Sequence, residues 1–563
     1  MNNGYPLTSN TKDCANCYKC IRSCPVKSIS FADNKAQIIH EDCILCGTCY
    51  LVCPKHLKIV RNDIDRVKKL IENNKKVIIS LAPSFVAEYK DSSLKELTKA
   101  LKKLGFYDVE ETAIGATIVK KAYDDMLDEK HDVIISSCCH AINLLIQKHY
   151  PEALPYLAHV LSPMLAHGKD IKSRFGKDTK VVFIGPCIAK KDEADKNDEY
   201  VDAVLTYSEL NDWLKDEGIT IEKDEMVDNV SHSKARLFPT CGGILKTMAC
   251  ENKNYQYIAI DGIEASKRTI EDLLSGKIHK CFIEMSSCQG SCINGPMVDT
   301  SKFGVVSSFL EINKFAGKED FNRQVLSDKD ITKNYSQINV VHAHPGEKDI
   351  EDMLFKMGKS DEKKRLNCGS CGYNTCREKA IAIIEGKAVI DMCLPSLIEK
   401  AQSFSDKIVS NTPNGLMVLD EDLNIQLVNK SMINLISIPS SKYIIGQNVS
   451  SIMKPDDFAN ALAGIKSNNK KIYLPEYEKY LEETIIYDNV YHIIIAIFRD
   501  ITKHVLDNQK RDEMLKKSVE IADKVVKKNM MTVQEIASLL GESAAETKVA
   551  LTSLKDTLKD DDK

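Results

Sequence analysis

Short apolar runs alternate with longer stretches of helical period between residues 60 and 300. The runs are rich in β-branched residues, which is typical of strands buried on both faces of a parallel sheet. We predict three strands and two intervening helices here, at Val77–Leu81, Val133–Ser136, Val181–Ile184, Leu94–Leu104 and Ile114–Leu127. The alternation predicts an α/β domain, in which ligands usually bind beyond the carboxyl ends of the strands.

The pattern changes twice toward the C-terminus. Residues 301–345 show no clear period and are assigned to the end of the α/β domain, whereas residues 348–400 favour helices. Beyond Asn414, strands are predicted at Gly415–Leu419, Ile425–Val428 and Tyr491–Phe498, and from Ile501 the sequence favours helix to its end.

Composition narrows the possible functions. At about 150 residues per domain, 563 residues predict roughly four domains. The 77 Lys and Arg nearly balance the 81 Asp and Glu, so no global charge favours nucleic acid or an anionic membrane as a partner. No long apolar run predicts a membrane span, and no signal peptide is evident, so we expect a cytoplasmic protein. Twenty cysteines in such a chain indicate metal or cluster ligands.

Eight of the cysteines form two equal runs near the N-terminus. The runs are Cys14-x2-Cys17-x2-Cys20-x3-Cys24-Pro25 and Cys43-x2-Cys46-x2-Cys49-x3-Cys53-Pro54. This is the spacing of bacterial two-cluster ferredoxins, in which the fourth cysteine of each run ligates the other cluster. We predict two [4Fe–4S] clusters that act as an electron wire. A pair of zinc knuckles is the alternative.

Three cysteine segments follow in the α/β region, two of them directly after predicted strands. They read Ser136-Ser137-Cys138-Cys139-His140, Gly185-Pro186-Cys187-x2-Lys190-x2-Glu193 and Ser286-Ser287-Cys288-x3-Cys292. Four of these cysteines could hold one [4Fe–4S] cluster.

In these motifs and their order the chain resembles the [FeFe]-hydrogenases over about residues 65–310. The resemblance implies an H-cluster, which joins a [4Fe–4S] cluster to a di-iron subsite with CO, CN and azadithiolate ligands. It implies Cys139, Cys187, Cys288 and Cys292 as ligands, with Cys292 bridging to the di-iron subsite. Cys138 would relay protons, Lys190 would hydrogen-bond a cyanide, and Glu193 would support that lysine. Gly185, Pro186, Ser286 and Cys241 would line the cofactor pocket.

The chain departs from hydrogen-producing members of that family around the cofactor. Gly185 and Ser286 stand where those members carry Met, His140 stands where they carry Pro, and Ala122 stands where they carry a proton-conducting Glu. These changes leave the cluster ligands intact, so we expect the cluster to assemble with slow turnover or a different proton path. Candidates for that path are Tyr123, Asp124, Asp125 and His140, which is equally well explained as a structural residue.

A third ligand set reads Cys368-x2-Cys371-Gly372-Tyr373-x2-Cys376-x16-Cys393. It resembles the small helical Fe–S domain of anaerobic electron-transfer subunits, although four thiolates also suit zinc. We predict a further [4Fe–4S] cluster, which makes three in addition to the H-cluster. Cys241, Cys250 and Cys281 remain, and an inert buried cysteine is the plainer interpretation of each.

The cysteine-free end resembles a PAS domain at residues 404–502, on Pro413-Asn414-Gly415 and Arg499-Asp500-Ile501-Thr502. Leu515, Val519, Ala522 and Val526 follow at coiled-coil spacing, and Thr532-x2-Glu535 and Ser543-x2-Glu546 are capping boxes. A superficial helix-turn-helix likeness near Ser543 lacks the positive charge that phosphate binding requires. We interpret this end as a dimerisation and output segment that makes the protein a homodimer.

These features predict a multidomain protein of α/β and α+β class. Its parts are a two-cluster ferredoxin domain (1–62), an H-cluster domain (63–345), a small helical Fe–S domain (346–400), a PAS domain (401–505) and C-terminal helices (506–563). Our first hypothesis is a sensory [FeFe]-hydrogenase that converts H2 reversibly to protons and electrons. The alternatives are a catalytic, ferredoxin-linked hydrogenase and a non-catalytic Fe–S redox regulator resembling the Narf-like proteins. Expected partners are H2, a ferredoxin or signalling protein, and dedicated maturation proteins.

Overall fold

The chain forms two compact units, the first ending at Met392 and the second beginning at Cys393. The structure is a computed structural model that describes residues 4–90, 92–127, 130–223, 233–299, 304–321, 326, 328–340, 345–465, 467–511 and 530. Of the helices that it describes, none combines the length and apolar character that crossing a membrane requires. The predicted seam and capping boxes beyond Arg511 lie outside the described residues.

The first unit begins with a module built from two similar halves. Each cysteine run leads into a five-residue helix, Lys19–Ser23 in the first run and Thr48–Val52 in the second. Two antiparallel strand pairs flank the helices, Leu7–Ser9 with Lys58–Val60 and Ile29–Ala32 with Lys35–Ile38. The duplicated cysteine spacing therefore corresponds to a duplicated structural element.

Two parallel sheets form the centre of the first unit. One has the strand order Asp108–Glu111, Val77–Leu81, Lys180–Gly185, Ala203–Thr206. The other has the order Gln256–Asp261, Cys281–Ser286, Val133–Ile135. The sequence analysis placed the Val133 strand in the same sheet as Val77–Leu81. It belongs to the second sheet because its residues pair with Cys281–Ile283, a partner far along the chain.

Helices cover these sheets and continue to residue 392. The longer ones are Ile64–Asn73, Leu94–Lys103, Ala113–Asp125, His140–His149, Pro163–Phe175, Tyr207–Asp216, Ile263–Leu274, Val305–Phe315, Glu347–Lys356 and Cys376–Ile384. The predicted helical stretch after residue 348 is interrupted between Lys356 and Cys376, where Gly358, Gly369 and Gly372 adopt positive φ. A β-carbon disfavours that conformation, so glycine permits the turns of this cysteine loop.

The second unit contains a five-stranded antiparallel sheet. Its strand order is Ile425–Val428, Gly415–Leu419, Ile493–Asp500, Lys479–Asp488, Ser467–Leu474. The last predicted strand begins two residues later than expected because His492 lies in a turn with φ 54°. Helix Leu394–Asn411 precedes the sheet and runs across residue 400, and helix Thr502–Arg511 follows it.

Candidate metal centres

The cysteines of the N-terminal module gather in two separate cavities. One cavity is lined by Cys14, Cys17 and Cys20 of the first run together with Cys53 of the second. The other is lined by Cys43, Cys46 and Cys49 together with Cys24. Each cavity therefore combines three cysteines of one run with the fourth cysteine of the other. Four thiols around one hollow are the donor set that a [4Fe–4S] cluster requires.

The three cysteine segments of the central domain converge although they follow strands of two different sheets. Ser287 Oγ lies 3.6 Å from the Cys139 sulfur and 3.8 Å from the Cys288 sulfur, which places the first segment beside the third. The amide of Met297 donates to the carbonyl of Pro186 at 3.1 Å, which ties the third segment to the second. The strand ends thus bring the predicted ligands to one place.

The electrostatics of these thiols indicate close mutual approach. Burial and the neighbouring thiols Cys187, Cys139 and Cys292 raise the pKa of Cys288. Burial, followed by Cys139 and Cys187, likewise raises the pKa of Cys292, although the Cys292 side chain is exposed. The four thiols thus lie close enough to affect one another's ionisation, and they offer the four donors that a [4Fe–4S] cluster takes.

The Cys138 thiol is held by a tyrosine. Its sulfur lies 3.2 Å from the hydroxyl of Tyr123, which also accepts from the Ser137 amide at 2.9 Å. Burial raises the pKa of Cys138 to about 12, against the lowering effects of the Tyr123 hydrogen bond and of Lys190. Cys138 is therefore a protonated thiol with a fixed orientation.

Lys190 lies between Cys138 and Glu193. Its ammonium donates to the Cys138 carbonyl at 3.1 Å and forms an ion pair with the fully buried Glu193. Glu193 raises the pKa of Lys190 although burial opposes it, and Lys190 lowers the pKa of Glu193 against the same effect. Both groups are therefore charged. Among the described residues, Glu193 Oε1 is buried without a hydrogen-bond partner.

Lys190 lies on the short helix Ala189–Asp195, whose other charged side chains form further ion pairs. Lys191 is fully buried and contacts Asp63 at 2.8 Å and Glu209 at 2.9 Å. Asp192 contacts His140 Nε2 at 2.7 Å.

At the end of this helix, Asp195 binds Arg61 at 2.7 Å and Arg66 at 2.8 Å. The contact between Asp192 and His140 favours a structural role for His140, because it joins the first cysteine segment to the second.

Gly185 is the predicted pocket residue with the clearest structural explanation. A β-carbon at Gly185 would lie 2.7 Å from Cε1 and 2.8 Å from Cζ of Phe183. The phenyl ring of Phe183, two residues earlier on the same face of the strand, therefore fills the space beside residue 185. The neighbouring Pro186 carbonyl accepts from Met297, and Ser286 Oγ lies 2.8 Å from Ser291 Oγ.

Glu284 is a buried acid that the sequence analysis missed. It lies on the strand Cys281–Ser286, and its carboxylate accepts from the Leu245 amide at 3.1 Å. Burial raises its pKa to about 7 despite several backbone donors, and its charge would raise the pKa of Cys138. The alternation of side chains along the strand was the available signal, since it turns Glu284 inward with Phe282 and Ser286.

The structure also gives local contacts for other residues that the sequence analysis singled out. The carboxylate of Asp124 accepts from the Ala249 amide at 3.0 Å, which makes it a local backbone contact. Cys250 and Cys281 each donate to a nearby carbonyl. Cys241 interacts with Asp261, which in turn accepts from the Gly290 amide at 2.7 Å, so Cys241 adjoins the third cysteine segment.

The sulfurs of Cys368, Cys371 and Cys376 do not all lie within 4.8 Å of one another. Among the described residues, the only three potential ligand atoms that all lie within 4.8 Å of one another belong to Glu110, His167 and Asp170. Thiolates on tetrahedral zinc would lie about 3.8 Å apart, given a Zn–S distance of about 2.3 Å. Cys393 is the first residue of the second unit.

Three segments of the chain match protein-family models. Residues 75–296 match the C-terminal domain of the iron-only hydrogenase large subunit. Residues 7–54 match a 4Fe-4S dicluster domain, and residues 365–395 match an Fe-S cluster family.

Individual relatives differ in what they are named for. The chain is 27% identical over 258 residues to the periplasmic [Fe] hydrogenase large subunit of Nitratidesulfovibrio vulgaris, covering 36% of this chain and 61% of that subunit. It is 22% identical over 340 residues to the nuclear prelamin A recognition factor of Xenopus laevis, covering 46% of this chain and 74% of that protein. The chain thus spans less than two thirds of the hydrogenase subunit.

Solved structures give the following likenesses. An [FeFe]-hydrogenase of Chlamydomonas reinhardtii aligns over its whole length with 50% of this chain, at 16% identity and a TM-score of 0.40. The PAS domain of an HTR-like protein of Haloarcula marismortui aligns over 94% of its length with 18% of this chain, at 20% identity and a TM-score of 0.16. The family matches show that the chain is similar to iron-only hydrogenases over residues 75–296 and to iron–sulfur families over residues 7–54 and 365–395.

Proposed function

We propose that this chain is an [FeFe]-hydrogenase of low turnover that converts H2 reversibly to protons and electrons. The observation that carries the proposal is the pairing of two groups beside the candidate cluster site. The Cys138 thiol is fixed by Tyr123, and the Lys190 ammonium is fixed by Glu193 and the Cys138 carbonyl. A plain [4Fe–4S] cluster needs neither a spare thiol nor an ammonium at this place.

The residues around the candidate cluster site would have separate roles. A bound H-cluster would supply the metal chemistry of H2, with Cys139, Cys187, Cys288 and Cys292 as its ligands. Cys138 would hold the transferable proton, which its high pKa favours. The charged Lys190 would bind an anionic ligand of the cofactor through a charge-assisted hydrogen bond.

Proton exchange with solvent would use groups that face Cys138. Tyr123 contacts the Cys138 sulfur directly, and Glu284, whose pKa of about 7 lies close to physiological pH, interacts with the Cys138 charge. An acid near neutrality can both accept and release a proton. Ala122 has no ionisable group, so these two residues would replace the family's glutamate.

We further infer a role in hydrogen sensing. The second unit has the antiparallel five-strand order described above, with a helix before and after the sheet. That arrangement and the PAS-like sequence motifs support a PAS sensor domain that forms a homodimer and passes a redox signal to a partner protein. The altered surroundings at Gly185 and Ser286 support reporting on H2 over bulk turnover.

A non-catalytic Fe–S regulator is the second candidate. The similarity to the prelamin A recognition factor over 46% of this chain favours it. The Phe183 ring beside Gly185 also favours it, because it reduces the space next to the predicted cofactor.

Infrared spectroscopy distinguishes the candidates. The full chain is reconstituted with iron, sulfide and the di-iron cofactor, and CO and CN stretching bands are recorded together with H2 oxidation and evolution. The hydrogenase proposal expects the bands and slow turnover, and a fully iron-loaded protein without the bands would support the regulator. Cys138→Ala should keep the bands and abolish turnover, with Cys250→Ala as the matched control that leaves both unchanged.

A further inference from the structure

Glu483 is an acid on the apolar face of the sheet in the second unit. It lies on the strand Lys479–Asp488 between Leu481 and Ile485, which both belong to the apolar core. Phe498 is its partner on the neighbouring strand. Only 1% of Glu483 is exposed, and burying an ionised carboxylate in such surroundings is costly unless a cation or several donors compensate its charge. The charge state of Glu483 therefore depends on what its carboxyl group contacts.

The group that Glu483 contacts is a second acid. Its carboxyl group hydrogen-bonds the side chain of Asp457, and among the described residues no donor reaches the buried Glu483 Oε1. An ionised carboxylate only accepts hydrogen bonds, so a bond between two carboxyl groups requires a proton on one of them. The folded second unit therefore holds one proton at this pair.

Lys470 determines which of the two acids holds the proton. Its ammonium donates to both carboxylate oxygens of Asp457 at 2.6 Å, which favours a negative charge there. Asp457 also lies in the first turn of the helix Asp456–Leu462, where the helix dipole stabilises negative charge. Burial, followed by Asp457, raises the pKa of Glu483 to about 8, so the proton is on Glu483.

The remaining charges on the packed elements have other surroundings. Lys470 is the partner of Glu483 on the edge strand and lowers its pKa, but its ammonium binds Asp457. The strand Ile493–Asp500 presents an apolar ring to Glu483. The other charged groups are exposed or form separate ion pairs: Asp456, Lys471, Arg499–Glu482 at 3.7 Å and Lys479–Asp500 at 3.2 Å. Among the described residues, one ammonium therefore serves both acids.

The pair of acids ties a short helix to the sheet. The helix Asp456–Leu462 has seven residues, no side-chain hydrogen bond at its N-terminus and two buried residues, Phe458 and Ala461. A helix of this length is not stable on its own in water, so its position depends on those apolar contacts and on the bond between Asp457 and Glu483. A change of charge at the pair therefore acts directly on the docking of the helix.

We propose that the second unit is a proton sensor, in which the proton between Glu483 and Asp457 holds the helix Asp456–Leu462 on the sheet. Loss of this proton to solvent leaves two carboxylates in contact with one ammonium to offset both, and their repulsion favours separation of the helix. Separation hydrates both acids. The inference does not rest on the hydrogen chemistry proposed above, because every group that it uses lies in the second unit.

The direction of the response follows from the two states of Glu483. In the docked state it keeps its proton up to a pH of about 8, whereas the undocked, hydrated acid returns to its ordinary pKa of 4.5. Between these values undocking releases a proton. The undocked fraction should therefore rise by up to about tenfold for each pH unit and level off above a pH of about 8.

Amide hydrogen exchange of the full chain at pH 6 and pH 8 tests the inference. After correction for the intrinsic effect of pH on exchange, opening of the helix Asp456–Leu462 should be greater at pH 8 by a factor of about ten or more. At pH 8 the helix should also open at least about tenfold more readily than the strand Ile493–Asp500, because the helix leaves the sheet while the strands stay paired.

Three variants assign the effect to this pair. Glu483→Gln should keep the helix docked at pH 8, because an amide donates to Asp457 without an ionisable proton. Glu482→Gln is the matched control, since it makes the same change one residue away on the opposite face, where Glu482 pairs with Arg499, and it should keep the rise. Lys470→Met should move the levelling-off to higher pH, because Lys470 lowers the pKa of Glu483.

The results that would overturn the proton sensor are specific. An equal rise in Glu483→Gln and Glu482→Gln would overturn it. Equal opening of the helix and of the strand Ile493–Asp500 would also overturn it, because the unit would then unfold as a whole. If Glu483→Gln does not fold, a levelling-off in Lys470→Met at the same pH as in the unchanged chain would have the same force. None of these results depends on CO and CN bands, so failure here is distinguishable from failure of the proposed function.

Discussion

Lys190→Met removes the only cation bound to the Glu193 carboxylate among the described residues. The Glu193 side chain is 0% exposed and that of Lys190 is 12% exposed, so solvent cannot replace the lost partner. Breaking a buried ion pair by removing one partner costs about 3–5 kcal/mol. Lys190→Met should therefore destabilise the helix Ala189–Asp195 by about that amount.

The double variant Lys190→Met/Glu193→Gln removes both charges of this ion pair, so neither is left buried without its partner. Its remaining loss is chiefly the hydrogen bond from Lys190 to the Cys138 carbonyl, about 1 kcal/mol. The second substitution should therefore restore about 2–4 kcal/mol of the stability that the first one removes. This coupling is far above the value of about 0.5 kcal/mol within which the effects of independent sites add.

Native-state hydrogen exchange of the amides in Ala189–Asp195 measures these free energies. Since about 1.4 kcal/mol corresponds to a factor of ten, exchange in Lys190→Met should be at least a hundredfold faster than in the unchanged chain. Equal exchange rates in the single and double variants would refute the ion-pair reasoning.

Lys191→Met is the matched control for the chemistry. Lys191 is the next residue and is more deeply buried, but it contacts Asp63 and Glu209. Lys191→Met should destabilise the helix by a similar amount, because it removes the ammonium that binds both carboxylates, although Asp63 keeps its ion pair with Arg61 at 2.9 Å. Only Lys190→Met should shift the CN infrared bands of the loaded protein, and a shift in both variants would assign the effect to instability.

Three further predictions concern other parts of the chain. Tyr123→Phe should slow H2 oxidation while the CO and CN bands are retained. It should also lower the free energy of unfolding by about 1–3 kcal/mol, because the buried Ser137 amide loses its acceptor. Unchanged turnover would exclude Tyr123 from the proton path. Gly185→Met should lower the free energy of unfolding by about 1–3 kcal/mol, because the new side chain overpacks against Phe183. Amide hydrogen exchange in the strand Lys180–Gly185 should show a smaller loss when Phe183 is also replaced by Ala. Equal losses in the two backgrounds would contradict the explanation that the Phe183 ring fills the space beside residue 185. Burial and Asp457 raise the pKa of Glu483 from 4.5 to about 8. Between these pH values the folded second unit holds a proton that the unfolded chain releases. Its melting temperature should therefore fall as pH rises from about 4.5 to about 8 and then level off. The same dependence of melting temperature on pH in Glu483→Gln would contradict this reasoning.

The sequence pattern was sufficient to predict those features that depend on one short segment of the chain. The strand at Val77–Leu81 has the predicted bounds, because all five of its residues are buried. The N-terminal spacing also anticipated which cysteines meet in each cavity, since short loops restrict the geometry of each run.

Features that depend on distant segments could not be predicted from the pattern. The Val133 strand joined the second sheet because its partner, Cys281–Ile283, lies about 150 residues away. The contact between Tyr123 and Cys138 likewise depends on how a helix end meets a strand end. Gly185 shows the same limit, because a missing side chain does not reveal that Phe183 occupies its space.

The helix Ala189–Asp195 has a consequence for how this sequence can vary. Its side chains bind residues outside the helix in several directions: Lys190 and Asp192 reach the first cysteine segment, and Lys191 and Asp195 reach residues 61–66. At 3.6 residues per turn, inserting or deleting one residue would rotate everything after it by about 100°. Single-residue gaps should therefore be absent from this segment in functional variants, even where replacements of individual residues accumulate. We therefore expect the length of this helix to vary less than its composition.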